Sequence, residues 1–195
     1  MKNPFLTLIL LSVSMVTFGQ KSFSERLSDA AIELSKHKVE YDPSYRVIDY
    51  PNGDIPENRG MDADVIVRAY RAVGIDLQKE VYEDMKMNFK KYPKQRGQKK
   101  PDANIDHRRV TNLIVFLSRR AKIGPITENA RDYIPGDLVC WEIKKEVFHI
   151  GIVVDVKQPD SDRYMVVHNI GNGQVVTDCL FAFKIIGHYQ YEKQK

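Results

Sequence analysis

Two histidines stand where chemistry is possible: His149 in VFHIGIV and His168 in MVVHNIG, each inside an apolar, β-branched run. They are 19 residues apart, so two strands joined by a turn of that reach can be neighbours and set the two imidazoles side by side on one face. Side chains alternate along a strand, which puts His149 on one face with Val147, Gly151 and Val153; the missing side chain of Gly151 leaves room beside the ring. Either histidine alone reads as readily as a hydrogen-bonded structural residue. The pair, in successive strands, points to a site.

The two cysteines are poorer candidates. A nucleophilic thiol needs an electropositive, partly exposed setting that stabilises the thiolate. Cys140 lies in a strand beside Trp141, and Cys179 falls late in the chain beyond both histidines. Each reads as a buried, inert thiol, although an oxidising compartment would permit a disulfide between them. The run Asp106, His107, Arg108 and Arg109 brings both signs of charge to a helix start. A planar guanidinium there can fork onto a carboxylate, either of a ligand or of Asp102 or Asp106.

Helices first and strands afterwards must position these groups. Ser22 and Glu25 have capping-box spacing ahead of Leu27, Ala30, Ala31 and Leu34, which predicts a first helix. A second is expected from Asp62 to Val73, stopped by Gly74, and a third from Leu77 to Lys91 with Val81, Met85 and Phe89 at every fourth position. A fourth runs from Asp106 to Ala121. The segment Tyr92 to Asn104, rich in Lys, Pro and Gly, reads as a long loop. Four runs follow, DLVCWEI, VFHIGIVVDV, RYMVVHNI and IIGHYQY, short and separated by turn residues, which predicts one antiparallel sheet. The fold class is therefore α+β, with helices packed on one side of the sheet.

The first 19 residues read as a secretory signal: Lys2, the apolar run Phe5 to Met15, then small residues Thr17 and Gly19 before a cut that leaves Gln20 as the N-terminus. The run is too short for a membrane span of roughly 20 apolar residues. No Cys lies near the cut to carry a lipid. The expectation is one domain over residues 20 to 195, periplasmic or secreted. The net charge is +4, with basic residues scattered, which does not indicate nucleic-acid binding.

The motifs PGDLV (Pro135 to Val139), HIGIV (His149 to Val153) and VHNIG (Val167 to Gly171) resemble those of NlpC-type cell-wall cysteine peptidases, papain-fold hydrolases of peptidoglycan stem peptides. The resemblance is closer to the bacterial family of domain of unknown function 1287, from about Tyr41 to Tyr191. It is carried in order by YDPSY, RGMDADV, DLQKEVYEDM, NIDHRRVTNL, YIPGDLV, HIGIV, VHNIG and GHYQY. The resemblance implies a papain-like arrangement in which a cysteine opens the helix that packs on the sheet, His149 is its base and His168 orients that base. It also implies that Tyr41, Asp42 and Tyr45 line the peptide-recognition side of a cleft. Asp64, two residues past the cysteine's position, reads as an ordinary cap or as a partner of loop amides, and the fork of Arg108 or Arg109 suits a stem-peptide carboxylate.

The cysteine's position is held by Asp62. A carboxylate is a poor substitute, because its attack on an amide would form a mixed anhydride while expelling an amine. An acidic residue at a helix start is also an ordinary cap, contributing about 0.5–2 kcal/mol. The expectation is an exported domain with no cofactor that recognises a peptidoglycan peptide or related envelope amide and is impaired as a hydrolase. Two rivals remain open: a working amidase using Asp62, His149 and His168, with a divalent metal if the three converge, and a structural envelope protein with a closed cleft.

Overall fold

The computed structural model describes residues 20–94 and 97–193; the expected signal over residues 1 to 19 lies outside them. Helix α1, Phe23–Leu34, opens on the expected box: Ser22 Oγ accepts from the Glu25 amide at 3.3 Å, and a Glu25 carboxylate oxygen accepts from the Ser22 amide at 2.7 Å. Helix α2, Asp62–Ala72, is central, with every residue from Asp62 to Tyr70 buried. It starts where Asp64 accepts from the Met61 amide at 2.8 Å and stops before Gly74, whose φ of 89° suits a residue without Cβ. Helix α3, Leu77–Asn88, tightens into a 3-10 turn over Phe89–Lys91 instead of running on as an α-helix.

The fourth helix begins later than its periodicity suggests. Asp106–Arg108 form a 3-10 turn, Arg109 is extended, and α4 covers Val110–Arg120. The cause is a set of bonds that an uninterrupted helix could not make. The Asp106 carboxylate accepts from the Asp102 amide at 2.6 Å and from Gln98, while Arg108 turns inward to Asp64.

The main sheet has six antiparallel strands in the order β3-β8-β4-β5-β6-β7: β3 is Lys122–Ile123, β4 Leu138–Lys144, β5 Val147–Lys157, β6 Tyr164–His168, β7 Val175–Thr177 and β8 Lys184–Gln190. Two residues are too few to carry a strand pattern, and β7 is three residues long, so β3 and β7 had no periodic signal. A separate two-residue parallel pair joins β1, Glu40–Tyr41, to β2, Arg59–Gly60, and lays the Tyr41–Asp42 segment beside the start of α2.

Alternation along the strands divides the core. Leu138, Cys140, Ile150, Ile152 and Val167 face α1, α2 and α4 and pack with Leu27, Ile66, Ala69 and Phe116. Val139, Trp141, Val153 and Val166 form a smaller cluster with Tyr133 and Leu180. Both cysteines are free, and burial pushes both thiols up in pKa, so neither offers a thiolate. Among the described residues no helix is long and apolar enough to cross a membrane.

Candidate functional site

Asp62 is the first residue of α2, and the helix N-terminus it occupies favours a negative charge. One of its oxygens accepts from the Ala63 amide at 2.9 Å; the other lies 2.7 Å from Nδ1 of His149 on β5. His149 Nε2 is 2.8 Å from Nδ1 of His168, the last residue of β6. His168 Nε2 in turn lies 2.6 Å from Oγ1 of Thr177 on β7. Four elements, α2, β5, β6 and β7, thus meet in one hydrogen-bonded row. Both imidazoles are 3% exposed and Asp62 is 7% exposed, so the middle of the row is sealed, while its Asp62 end borders a cleft and its Thr177 end is half-buried.

The walls hold the rings. Trp141, directly opposite His149 across the β4–β5 pair, stacks on it at 5.8 Å and 29°. Gly151 gives His168 its place: a Cβ there would fall 2.6 Å from Val166 Cγ1 and 3.2 Å from His168 Cβ. Asn169 donates to the Gly60 carbonyl at 3.1 Å and accepts from the Gly171 amide, tying the end of β6 to the segment that leads into Asp62. Burial, and then the neighbouring His149, push His168 down to about 4, with Asp62 offsetting part of the effect, so His168 is neutral at pH 7.

The three side chains run in series and do not converge. Both nitrogens of His149 are used within the row, which leaves none to share a metal ion with Asp62 and His168. The metal alternative for Asp62, His149 and His168 needs the three to converge, and here they form a line instead. Among the described residues no group of three or more His, Cys, Asp and Glu is placed to hold a metal.

The remaining candidates fall into two groups. Tyr41, 44% exposed, lines the cleft near Asp62. Burial, and then the carboxylates of Asp62 and Asp64, raise the pKa of its phenol. Tyr45 is exposed too, but its hydroxyl sits with Asp102 and Asn104. Asp42, Asp64 and Arg108 are engaged inward. Asp42 accepts from the Ser44 amide and from Arg46, which hold its carboxyl well below the usual range. Arg108, 1% exposed, forks onto Asp64 at 2.7 and 3.0 Å and donates to the carbonyls of Ser44 and Asp42. That cluster fastens the Tyr41–Ser44 segment to α2 and so fixes one wall. Arg109, partly exposed, pairs with Asp106 at 2.9 Å and borders the cleft.

The cleft has a volume of about 370 Å3, and Asp62, His149, Asn169, Tyr41, Arg109 and Phe148 are among the residues that line it. Trp141, Asn169 and Thr177 were not singled out as site residues from sequence. Asn169 sits in VHNIG and was within reach; Thr177 carries no motif. Chemically, the row can hold and pass a proton, and the cleft can receive a polar chain. The nucleophile of a thiol hydrolase is missing from the helix start.

Residues 28–191 match the family model described as Domain of unknown function (DUF1287). An uncharacterized protein of Escherichia coli (strain K12), YijF, is 44% identical over 165 residues, covering 85% of this chain and 80% of its own. The solved structure of NlpC1 from Trichomonas vaginalis superposes on 92% of this chain with a TM-score of 0.46 and 12% identity; this chain spans about half the length of that protein, 49%.

Proposed function

We propose that this chain, which belongs to the family of domain of unknown function DUF1287, is an exported envelope domain that recognises a peptidoglycan stem peptide or a related envelope amide and is impaired as a hydrolase. Residues 1–19 would be removed on export, and residues 20–195 would act as one domain in the periplasm or outside the cell.

The observation that carries this reading is the 2.7 Å contact between Asp62 at the start of α2 and Nδ1 of His149, backed by His168 at 2.8 Å. A helix N-terminus, a strand histidine and a second polar strand residue are what a cysteine hydrolase needs around its thiolate. Here the anion in that place is a carboxylate. It retains the ion-pairing role and loses the nucleophilic one, because an acyl-aspartate formed from an amide lies uphill of a thioester. The cleft beside it stays open, which favours binding over a purely structural role.

The test is muropeptide release from purified sacculi by the protein and by Asp62→Cys, with sacculus co-sedimentation measured for both. The expected result is co-sedimentation by both proteins and release by the variant alone. Release by the unaltered protein would overturn the impaired reading, and absence of binding by either would overturn the recognition reading.

A further inference from the structure

The row of hydrogen bonds does not end at the second histidine. His168 is neutral, so one ring nitrogen carries a proton and the other a lone pair. Its Nδ1 faces His149 and its Nε2 faces Thr177 at 2.6 Å, in a place where its ring is 3% exposed. When His149 is neutral and gives its Nδ1 proton to Asp62, its Nε2 is an acceptor. His168 must then donate from Nδ1, and Thr177 must donate to His168 Nε2. When His149 is an imidazolium, its Nε2 donates, His168 must accept at Nδ1, and the His168 Nε2 proton must find an acceptor. A hydroxyl serves both cases, because it donates and accepts at one atom. An amide, a carboxylate or an aliphatic side chain at 177 would serve one case or neither.

We propose that Thr177 is a positioning residue of this site: by reversing its hydrogen bond it lets His168 exchange tautomers, and so keeps His149 paired in both of its charge states. The proton count closes without any other group changing. A proton from solvent hydronium, which leaves as water, reaches the Thr177 hydroxyl as that hydroxyl passes its own proton to His168 Nε2. His168 passes its Nδ1 proton to His149 Nε2, and Thr177 ends as a hydroxyl. Thr177 is half-buried, so solvent can supply that proton. The hydroxyl also faces the Cys179 thiol, a second partner for whichever lone pair or proton His168 leaves free. The titratable and charged groups on the cleft beside His149 are Asp62 on α2, Tyr41 on β1, Arg108 and Arg109 ahead of α4, and Glu146 in the β4–β5 turn.

This inference does not depend on what the cleft binds, and its test uses the free protein. The ring nitrogens of His149 and His168 are followed by 15N NMR across the pH range in which His149 changes charge. In the unaltered protein and in Thr177→Ser, the protonated nitrogen of His168 is expected to change from Nδ1 to Nε2 as His149 becomes charged. In Thr177→Val it is expected to stay on Nδ1, with His149 left neutral across the same range, because the switched form would bury an Nε2 proton with no acceptor and a buried lone pair without a partner is better tolerated than a buried N–H without one. A structural role alone would change melting and leave the tautomer pattern as it was. Should Thr177→Val not fold, a second reading needs no variant. A slowly exchanging proton between His168 Nε2 and Thr177 Oγ1, close to the Thr177 methyl, is expected in the unaltered protein. Its absence, a fixed tautomer in the unaltered protein, or a switch that survives in Thr177→Val would each overturn the proposal.

Discussion

Among the described residues two buried carboxylate–histidine pairs have the same distance, 2.7 Å, and they do different things. Asp137 and His188 are each 1% exposed, although Asp137 also borders a cleft with Ile134, Gly136 and Gln190. Asp137 also accepts from the Ile134 amide and from Gln190, His188 Nδ1 bonds to the Pro125 carbonyl, and Tyr133 stacks on the imidazole at 4.5 Å. A Cβ on Gly124 would fall 2.4 Å from that ring. Asp62 and His149 have the same contact, but Asp62 is 7% exposed where Asp137 is 1%, and His149 runs on into His168 where His188 ends on a backbone carbonyl. A carboxylate–imidazole distance therefore says little about role. What surrounds the pair decides whether it is a staple or a site.

The largest expected effect breaks the staple. Asp137→Ala removes the partner of His188, of Gln190 and of the Ile134 amide at once, and loss of one member of a buried pair costs about 3–5 kcal/mol. Urea unfolding is expected to register that loss, while ring NMR of the surviving fold should leave the His149–His168 row as it was. A loss below about 1 kcal/mol would mean that the second pair holds little together.

The two centres should also oppose each other in their response to pH. His168 is held down to about 4 by burial and by His149, against an ordinary 6.5. Between those values the unfolded chain binds a proton that the folded one refuses. Its contribution is present above pH 6.5 and is lost on acidification, up to about 3 kcal/mol. Burial acts to lower His188 as well, but its bonds to Asp137 and the Pro125 carbonyl win and raise it. That contribution is present below pH 6.5 and fades as pH climbs through the folded value. His168→Gln should flatten the acid side of a stability–pH curve, and His188→Gln the side above pH 6.5. Equal flattening on one side by both variants would remove the contrast. His107, buried and pushed down to about 3, adds to the acid side in every variant and so does not disturb the comparison.

The sequence made the two centres unequally legible. His149 and His168 sit in β-branched runs whose alternation and order identify strands, and the resemblance of RGMDADV placed Asp62 opposite them. The main strands and the capping box at Ser22 were readable for the same reason, since local pattern and burial agree there. His188 and Asp137 lie in GHYQY and PGDLV, both noticed as motifs, yet 51 residues separate them and nothing local says that they touch. The partner of Arg108 was equally hidden: Asp102 and Asp106 were the near choices, and the structure supplies Asp64, 44 residues away. Pairings made by tertiary packing leave no periodic trace. The delayed start of α4 has the same origin, because the Asp106 and Arg108 side chains draw the backbone out of helical register.

The smallest expected effect sharpens the comparison at its other end. Asp62→Asn retains an oxygen to accept from the Ala63 amide and another position facing His149, so the helix start keeps its cap. What is lost is charge, at a helix N-terminus and beside an imidazole that water from the cleft can reach; for the helix-dipole part alone that is worth about 0.3–1 kcal/mol. The expected cost in urea unfolding is therefore about 1 kcal/mol, well under that of Asp137→Ala. The comparison turns on this inequality. If Asp62→Asn cost about 3 kcal/mol or more, the cleft pair would be as closed in solution as the Asp137–His188 pair. Its carboxylate would then be a structural anion, and the opening beside it would have no access to the row.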